Sequence, residues 1–273
     1  MSNLSEHYSP ATGRRLGLLI IIMVAIGGVL TTFWARNRWW FPPVASRHGV
    51  DVDQLITTTF IVTGFVFFFV HLALGIFVWR YAAAREERAF FWPDSRTLEL
   101  SYTLVPTAIL ITLISMGAVT WARVHSPVPR NALRVEALGQ QFAWTFRYAG
   151  PDGAFGRTAP RFVSRQNPRG MDQSDAAGRD DIIVSELRLP VNEPVVVLIR
   201  SSDVIHSLFL PNFRVKQDAV PGMTTQFWFT PTRRGNFELA CAELCGVGHY
   251  IMRGRVVVDT KAAFDAWLAD QSN

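Results

Sequence analysis

Hydrophobic residues concentrate in three long, nearly uncharged runs towards the amino end of the chain. The runs extend over residues 16–35, 55–79 and 98–121. At about 1.5 Å per residue, each run is long enough to cross the hydrocarbon core of a bilayer as a helix. We therefore predict a membrane anchor in residues 1–122 with three transmembrane helices.

The charges that flank these runs predict their orientation. Arginines precede the first run and surround the loop between the second and third runs: Arg14, Arg15, Arg80, Arg85, Arg88 and Arg96. Because positively charged loops stay in the cytoplasm, we expect a multi-pass protein of the inner membrane with everything after Trp121 on the periplasmic side.

The first run could be a cleaved secretory signal or a retained helix. No small-x-small cleavage site follows it, and aromatic residues typical of a membrane interface lie at its end: Phe33, Trp34, Trp39 and Trp40. The sequence favours a retained helix.

From residue 123 onward the pattern changes to short β-branched or aromatic runs separated by Pro, Gly, Asn and Asp. This pattern is typical of an all-β domain, a Greek-key barrel or sandwich. We predict strands at residues 133–138, 142–148, 182–189, 194–201, 224–229, 235–240 and 253–258. Phe264, Trp267 and Leu268 recur at helical spacing, so a short amphipathic helix over residues 261–270 should close the chain. Residues 150–181 are polar and rich in Gly and Pro, and are expected to form a long solvated loop.

One short segment of the predicted β domain carries candidate metal chemistry. It holds the only two cysteines of the chain, Cys241 and Cys245, followed by His249 and Met252. Cysteine and methionine sulfur favour copper, and imidazole also suits it, so one more histidine, with His206 as the candidate, would complete a copper site. A disulfide and a structural zinc site remain as alternatives, although zinc would not need Met252. The Cys-x-x-x-Cys spacing does not match the redox Cys-x-x-Cys or covalent haem motifs.

Three segments together resemble subunit II of the haem-copper cytochrome c oxidases. They are residues 202–207 (SDVIHS), residues 216–222 (KQDAVPG) and residues 241–246 (CAELCG) with His249 and Met252. The likeness begins near Asp51, includes residues 99–106 (ELSYTLVP) and runs to about Leu268. The cysteine segment is its most specific part.

The resemblance implies a cupredoxin domain with a binuclear copper centre, CuA, which passes electrons to a haem in subunit I. Cys241 and Cys245 would bridge the two coppers, and each copper would have one histidine, His206 or His249. Met252 and the backbone carbonyl of Glu243 would be weak axial ligands.

The resemblance also implies roles around the copper ligands. The Glu243 carboxylate would bind a magnesium ion at the interface with subunit I, and Asp203 and Asp218 would support the ligands from behind. The family's usual Gln-Trp-x-Trp segment reads Gln-Phe142-Ala-Trp144 here, so Phe142 takes the position where electrons enter, and Trp144 is the second residue predicted for electron entry.

The net charge of the chain indicates which kind of electron donor it would attract. The chain carries a net charge of +5, and residues 123–273 hold 18 Lys and Arg against 15 Asp and Glu, a net of +3. This domain therefore lacks an excess of acid that would steer a basic cytochrome c. An acidic or neutral donor, or a membrane-anchored cytochrome c-type donor supplied by another membrane complex, is an alternative. The expected partners are subunit I, other oxidase subunits, the donor and the lipid bilayer, with no nucleic acid.

The predicted function is electron entry into a terminal oxidase that couples oxygen reduction to proton translocation. The same copper module in a haem-copper nitric oxide reductase is the alternative. A copper carrier is disfavoured because six ligands build a closed site, whereas a carrier needs an exchangeable one. A quinol oxidase subunit is disfavoured because that branch lacks the copper ligands present here.

Overall fold

The structure is a computed structural model of the chain, and it describes residues 10–39, 41–82 and 91–272. Three residues used in the predictions above, Trp40, Arg85 and Arg88, lie outside the described residues, as does the side chain of Trp39. The chain divides into two compact units. A helical unit comprises residues 1–41 and 54–118, and a β unit comprises residues 42–53 and 119–273.

Three helices in the described part of the chain are long and apolar enough to cross a membrane. They are α1 (Pro10–Trp34, continued by a π-helical turn at Ala35–Trp39), α2 (Arg47–Tyr81) and α3 (Arg96–Val124). Each is longer than the hydrophobic run that predicted it. Most of their apolar side chains are exposed, which is expected of helices that face lipid or other subunits.

Glycines bring α1 and α2 into close contact. A Cβ atom added at Gly75 of α2 would lie 2.6 Å from the Ile21 side chain of α1, and one added at Gly17 would overlap the backbone of Trp79. Small residues at such positions let helix backbones approach closely in a membrane. The two helices therefore form a tightly packed pair.

The β unit consists of two five-stranded sheets. The strands are β1 (Leu133–Gln140), β2 (Ala143–Tyr148), β3 (Ile182–Val184), β4 (Leu187–Pro190), β5 (Val195–Ser201), β6 (His206–Leu210), β7 (Val215–Ala219), β8 (Thr225–Phe229), β9 (Gly235–Cys241) and β10 (Arg253–Asp259). The strand orders of the two sheets are β3-β2-β1-β5-β8 and β4-β10-β9-β6-β7. The predicted all-β domain is confirmed at this level.

Two details of the strand prediction were wrong. The run 182–189 is two strands, since the chain bends at Ser185 and β3 and β4 enter different sheets. The hairpin of β6 and β7 was missed, because each strand has only five residues and the exposed face of β7 is polar, with Lys216 and Asp218. His206 is the first residue of that missed hairpin.

The core lies between the two sheets and is closed at one end by a helix. Fully buried side chains include Phe146, Tyr148, Leu208 and Leu210. The predicted helix is present as α4 (Lys261–Gln271), and its Phe264 is buried against Tyr148.

A segment from the predicted membrane anchor also belongs to the β unit. Ala45 is fully buried in the core; its N–H donates to Asn212 O at 2.7 Å, and its carbonyl accepts from Thr232 N at 2.8 Å. Ser46 donates to Phe213 O at 2.6 Å, and Arg214 forms an ion pair with Asp53. The predicted boundary at residues 122 and 123 does not include this segment in the β domain.

The long segment 150–181 does not project freely into solvent as expected. It covers the outer face of β1 and β2, where Glu136 and Arg147 lie opposite each other in register. Arg169, within the segment, donates to Glu136 Oε1 at 2.7 Å, and Asp181 accepts from Arg147 at 3.0 Å. Because charged groups are costly to bury without partners, this buried cluster holds the segment against the sheet.

Candidate metal centre

His206 and the two cysteines come together at one end of the β unit. Their ligand atoms lie within 4.8 Å of one another, and all three residues are buried. His206 begins β6 and Cys241 ends the adjacent β9, which places His206 Nδ1 3.9 Å from Cys241 Sγ. The sheet thus positions the first half of the site.

The two cysteine sulfurs are not bonded to each other. Cys241 Sγ and Cys245 Sγ lie 3.9 Å apart, whereas a disulfide bond is about 2.0 Å long. Both thiols are free, so the disulfide alternative does not describe this structure. Burial, together with the neighbouring Cys241, raises the pKa of the Cys245 thiol to about 11. Binding a metal ion through this sulfur therefore displaces a proton.

The segment after Cys241 brings three further groups to the sulfurs. His249 Nδ1 lies 3.7 Å from Cys245 Sγ, and Met252 Sδ lies 3.8 Å from the same atom. The Glu243 carbonyl oxygen is 3.2 Å from Cys241 Sγ, whereas Glu243 itself is an exposed residue. Each sulfur therefore has one imidazole beside it. Gly246, with φ of +133°, supplies a backbone conformation that other residues rarely adopt.

Asp203 holds the His206 ring at the nitrogen that faces away from the sulfurs. Its Oδ1 lies 2.8 Å from His206 Nε2, which leaves Nδ1 directed towards the sulfurs. Burial raises the pKa of Asp203, but hydrogen bonds from the backbone of Gln141, from His206 and from the backbone of Val204 outweigh it, so the pKa lies below its ordinary value. The carboxylate therefore stays ionised and fixes the orientation of the ring.

The second predicted supporting acid is placed differently. Asp218 is an exposed residue of β7, opposite Ser207, and in the described part of the chain no hydrogen bond joins its carboxylate to a candidate ligand. Its supporting role stays a prediction.

The two aromatic residues predicted for electron entry both lie near the site. Phe142 is half-buried, and its ring packs so closely on Gly246 and Gly248 that a Cβ atom at either glycine would press on it. Trp144 is buried behind it, with its ring edge-on to His206 at a centroid distance of 5.9 Å. Phe142 therefore contacts the ligand loop directly, and Trp144 contacts a ligand ring.

Sequence reasoning missed two features of the site. Gln141, in the turn between β1 and β2, donates from its backbone N to Asp203 Oδ2 at 2.7 Å and from Nε2 to Cys245 O at 2.6 Å. A rim of exposed apolar side chains surrounds the ligand loop: Leu244, Val247, Tyr250 and Ile251, which are 79%, 91%, 76% and 58% exposed. The apolar residues between the ligands were a readable signal for the rim. Gln141 opens the Gln-Phe-Ala-Trp segment, but nothing in that segment indicates its contacts with Asp203 and Cys245.

Comparison with known protein families shows to which family the chain belongs. The family described as "Cytochrome C oxidase subunit II, periplasmic domain" matches residues 133–260, and "Cytochrome C oxidase subunit II, transmembrane domain" matches residues 32–117. The chain belongs to the cytochrome c oxidase subunit II family. Most of α1 precedes the transmembrane-domain match.

Individual subunit II proteins are similar over most of the chain. The "Alternative cytochrome c oxidase subunit 2" of Bradyrhizobium diazoefficiens is 40% identical over 255 residues, 93% of this chain and 91% of that protein. "Cytochrome c oxidase subunit 2" of Cereibacter sphaeroides is 32% identical, covering 84% of this chain and 78% of that protein. A crystal structure of the periplasmic domain of subunit II (CoxB) of Bradyrhizobium japonicum matches at 32% identity and a TM-score of 0.39, over 53% of this chain and 96% of that domain.

The predicted resemblance and function are therefore confirmed: this subunit II is the electron-entry subunit of a cytochrome c oxidase, an oxidoreductase complex. The family implies a CuA copper centre, and the residues present fit one. Two buried free thiols, two imidazoles and a buried thioether are soft or borderline donors that suit copper. A structural zinc site would be complete without the thioether.

Proposed function

We propose that Cys241, Cys245, His206, His249, Met252 and the Glu243 carbonyl hold the two coppers of a CuA centre. The observation that carries this proposal is the pair of buried free sulfurs 3.9 Å apart, each with its own imidazole within 3.9 Å. The two cysteines would hold the metals through their thiolates, and Met252 and the Glu243 carbonyl would complete the donor set as weak ligands.

When bound, such a pair of coppers shares one unpaired electron over both metals and supports single-electron transfer with little reorganisation. The protein's contribution is to keep its donors in place between redox states. His206 and Cys241 lie on adjacent strands, and Asp203 fixes the His206 ring. Met252 and His206 are fully buried, so water is kept from that side of the site.

The β unit is proposed to be a cupredoxin-type Greek-key barrel. Both sheets are mixed: β1 pairs with β5 in parallel and β10 pairs with β4 in parallel, while the other pairs are antiparallel. Parallel neighbours require connections that cross between the sheets, as a Greek-key arrangement has.

Electrons are proposed to reach the site through Phe142 from a cytochrome c-type donor and to leave towards haem in subunit I. Phe142 contacts the ligand loop, and the rim formed by Leu244, Val247, Tyr250 and Ile251 presents apolar surface next to it. Aromatic and aliphatic groups of this kind are typical of interface centres. The exposed position of Glu243 supports the proposal that its carboxylate binds magnesium where subunit I docks.

The three apolar helices are proposed to cross the inner membrane, with the copper domain on the periplasmic side. The proposal is supported by Arg14 and Arg15 before the hydrophobic part of α1, by Arg80 in the last turn of α2 and by Arg96 at the start of α3. The close packing of α1 on α2 supports retention of α1 in the mature protein.

Metal analysis and spectroscopy of the purified oxidase complex test the copper assignment. We expect two coppers in this subunit and a mixed-valence electron paramagnetic resonance signal with a multiline hyperfine pattern. Cys241→Ser should abolish the signal, whereas Met252→Leu should keep copper bound with a changed reduction potential. Met171→Leu, in the segment 150–181, is the matched control and should change neither property. A single copper, zinc in place of copper, or equal loss in the serine and leucine variants would contradict the assignment.

A further inference from the structure

The ligand loop after Cys241 has few hydrogen bonds that anchor it to the rest of the domain. Ala242 N donates to Ser207 O at 2.9 Å, and Cys241 N donates to Met252 O at 3.0 Å. The stretch 243–248 lies outside any strand. Among the hydrogen bonds of the described residues, the one that reaches this stretch from outside residues 241–252 comes from the Gln141 side chain to Cys245 O, at 2.6 Å.

Gln141 also reaches the other half of the site. Its backbone N–H donates to Asp203 Oδ2 at 2.7 Å, and the other oxygen of the same carboxylate holds His206 Nε2. Gln141 therefore connects His206, through Asp203, to the backbone of Cys245. It does so from the opposite sheet, because the β1–β2 turn belongs to one sheet and β6 and β9 belong to the other.

The neighbouring side chain strengthens this contact. The Phe142 ring packs against Gly246 and Gly248, on either side of Val247, and the Gln141 amide approaches Gly246. The turn therefore contacts the loop through one hydrogen bond and one ring, while supplying no metal ligand itself.

We propose that Gln141 is a positioning residue that sets where Cys245 lies relative to His206. It acts through the Cys245 carbonyl and the Asp203 carboxylate, and it does not touch the metal. The inference rests on the proposed copper ligands. It goes beyond those ligands because it assigns to Gln141, a polar residue of the β1–β2 turn, control of the distance between His206 and Cys245.

Two nearly isosteric substitutions test the side-chain contact in the assembled oxidase complex. Gln141→Met removes the donor and Gln141→Glu replaces it with an acceptor facing the Cys245 carbonyl, while both keep the backbone N–H that binds Asp203. A hydrogen bond of this kind contributes about 1 kcal/mol, so Gln141→Met should speed copper loss to a chelator by about fivefold. Gln141→Glu should speed it further, and both should change the hyperfine pattern of the copper signal.

The matched control is Gln140→Met, at the adjacent position. Gln140 ends β1 and pairs with Ala143, and its side chain has no hydrogen bond to the ligand segments in the described part of the chain. If Gln141 only filled space, both isosteric variants would behave as the parent protein does. An unchanged rate of copper loss and an unchanged hyperfine pattern in both would overturn the proposal, as would an equal change in the control.

A third variant guards against a general loss of folding. Gln141→Asn keeps an amide but is one methylene too short to reach Cys245 O, so it should resemble Gln141→Met. The thermal unfolding of all variants, followed by circular dichroism, should match the parent because Gln141 is an exposed residue. If the parent protein itself lacked the CuA signal, the proposed ligands would be wrong. If the parent showed the signal and the variants matched the parent, only the role of Gln141 would be wrong.

Discussion

Replacing Glu136 with glutamine should release the segment 150–181 from the sheet that it covers. Glu136 is only 4% exposed, and its two carboxylate oxygens accept from Arg147 and Arg169 at 2.7 Å each. In the variant Arg147 keeps Asp181 as a partner, whereas among the described residues Arg169 retains only the Thr145 hydroxyl at 2.8 Å. The loss falls mainly on Arg169, which is part of the segment.

The size of the effect follows from burial. Removing one partner of a buried ion pair costs about 3–5 kcal/mol, and because glutamine keeps the shape and one acceptor we expect about 3 kcal/mol. Since about 1.4 kcal/mol corresponds to a tenfold change in an equilibrium, the open form of the segment should become roughly a hundredfold more populated.

Limited proteolysis of the full-length chain in detergent measures this population. Trypsin cleaves after arginine, and the segment carries five: Arg157, Arg161, Arg165, Arg169 and Arg179. Glu238→Gln is the matched control, because Glu238 pairs with Arg253 at 3.1 Å where both side chains are more than half exposed. That pair contributes at most about 1 kcal/mol. Cleavage of the Glu136→Gln variant at the parent rate would refute the role assigned to the cluster.

The same cluster predicts a pH dependence. Burial raises the pKa of Glu136, but Arg147, Arg169 and Arg200 outweigh it and hold the pKa below its ordinary value. A carboxyl with a lowered folded-state pKa stabilises the fold above its unfolded-state pKa, and the contribution is lost as pH falls through the folded value. Burial raises the pKa of Asp181, so by the same linkage its protonation favours the folded state as pH falls. Protection of the segment should therefore persist until pH falls through the lowered pKa of Glu136, where the ion pairs with Arg147 and Arg169 are lost.

Two further predictions concern electron entry and topology. Phe142→Ala should slow electron transfer from reduced cytochrome c in stopped-flow measurements. The copper signal should remain, because Phe142 contacts Gly246 and Gly248 and is not a ligand. An unchanged rate of electron transfer would show that electrons enter elsewhere. A periplasm-specific reporter joined near residue 87 should be inactive, and one joined after residue 272 should be active. Amino-terminal sequencing should show that the mature protein begins before α1. The opposite reporter pattern, or a mature start near residue 36, would contradict the proposed topology.

Much of the membrane anchor and of the donor set was readable from local sequence. A helix that crosses a bilayer satisfies its own backbone hydrogen bonds, so an apolar run of sufficient length predicts it without knowledge of any neighbour. Cys241, Cys245, His249 and Met252 lie within one short segment. A tight loop brings such neighbours together whatever surrounds it, so spacing and residue type were sufficient to indicate a soft-metal site.

Other features depend on contacts between residues far apart in the chain, and only the tertiary structure decided them. Gln141 meets Cys245 across 104 positions of sequence, and Ser46 meets Phe213 across 167. The segment 150–181 has the composition of a solvated loop, yet Arg169 and Asp181 order it because Glu136 and Arg147 present paired charges on the sheet beneath. A buried charge is stable only where its partner lies within hydrogen-bond distance, and strand register, set by packing of the whole domain, determines where that partner is.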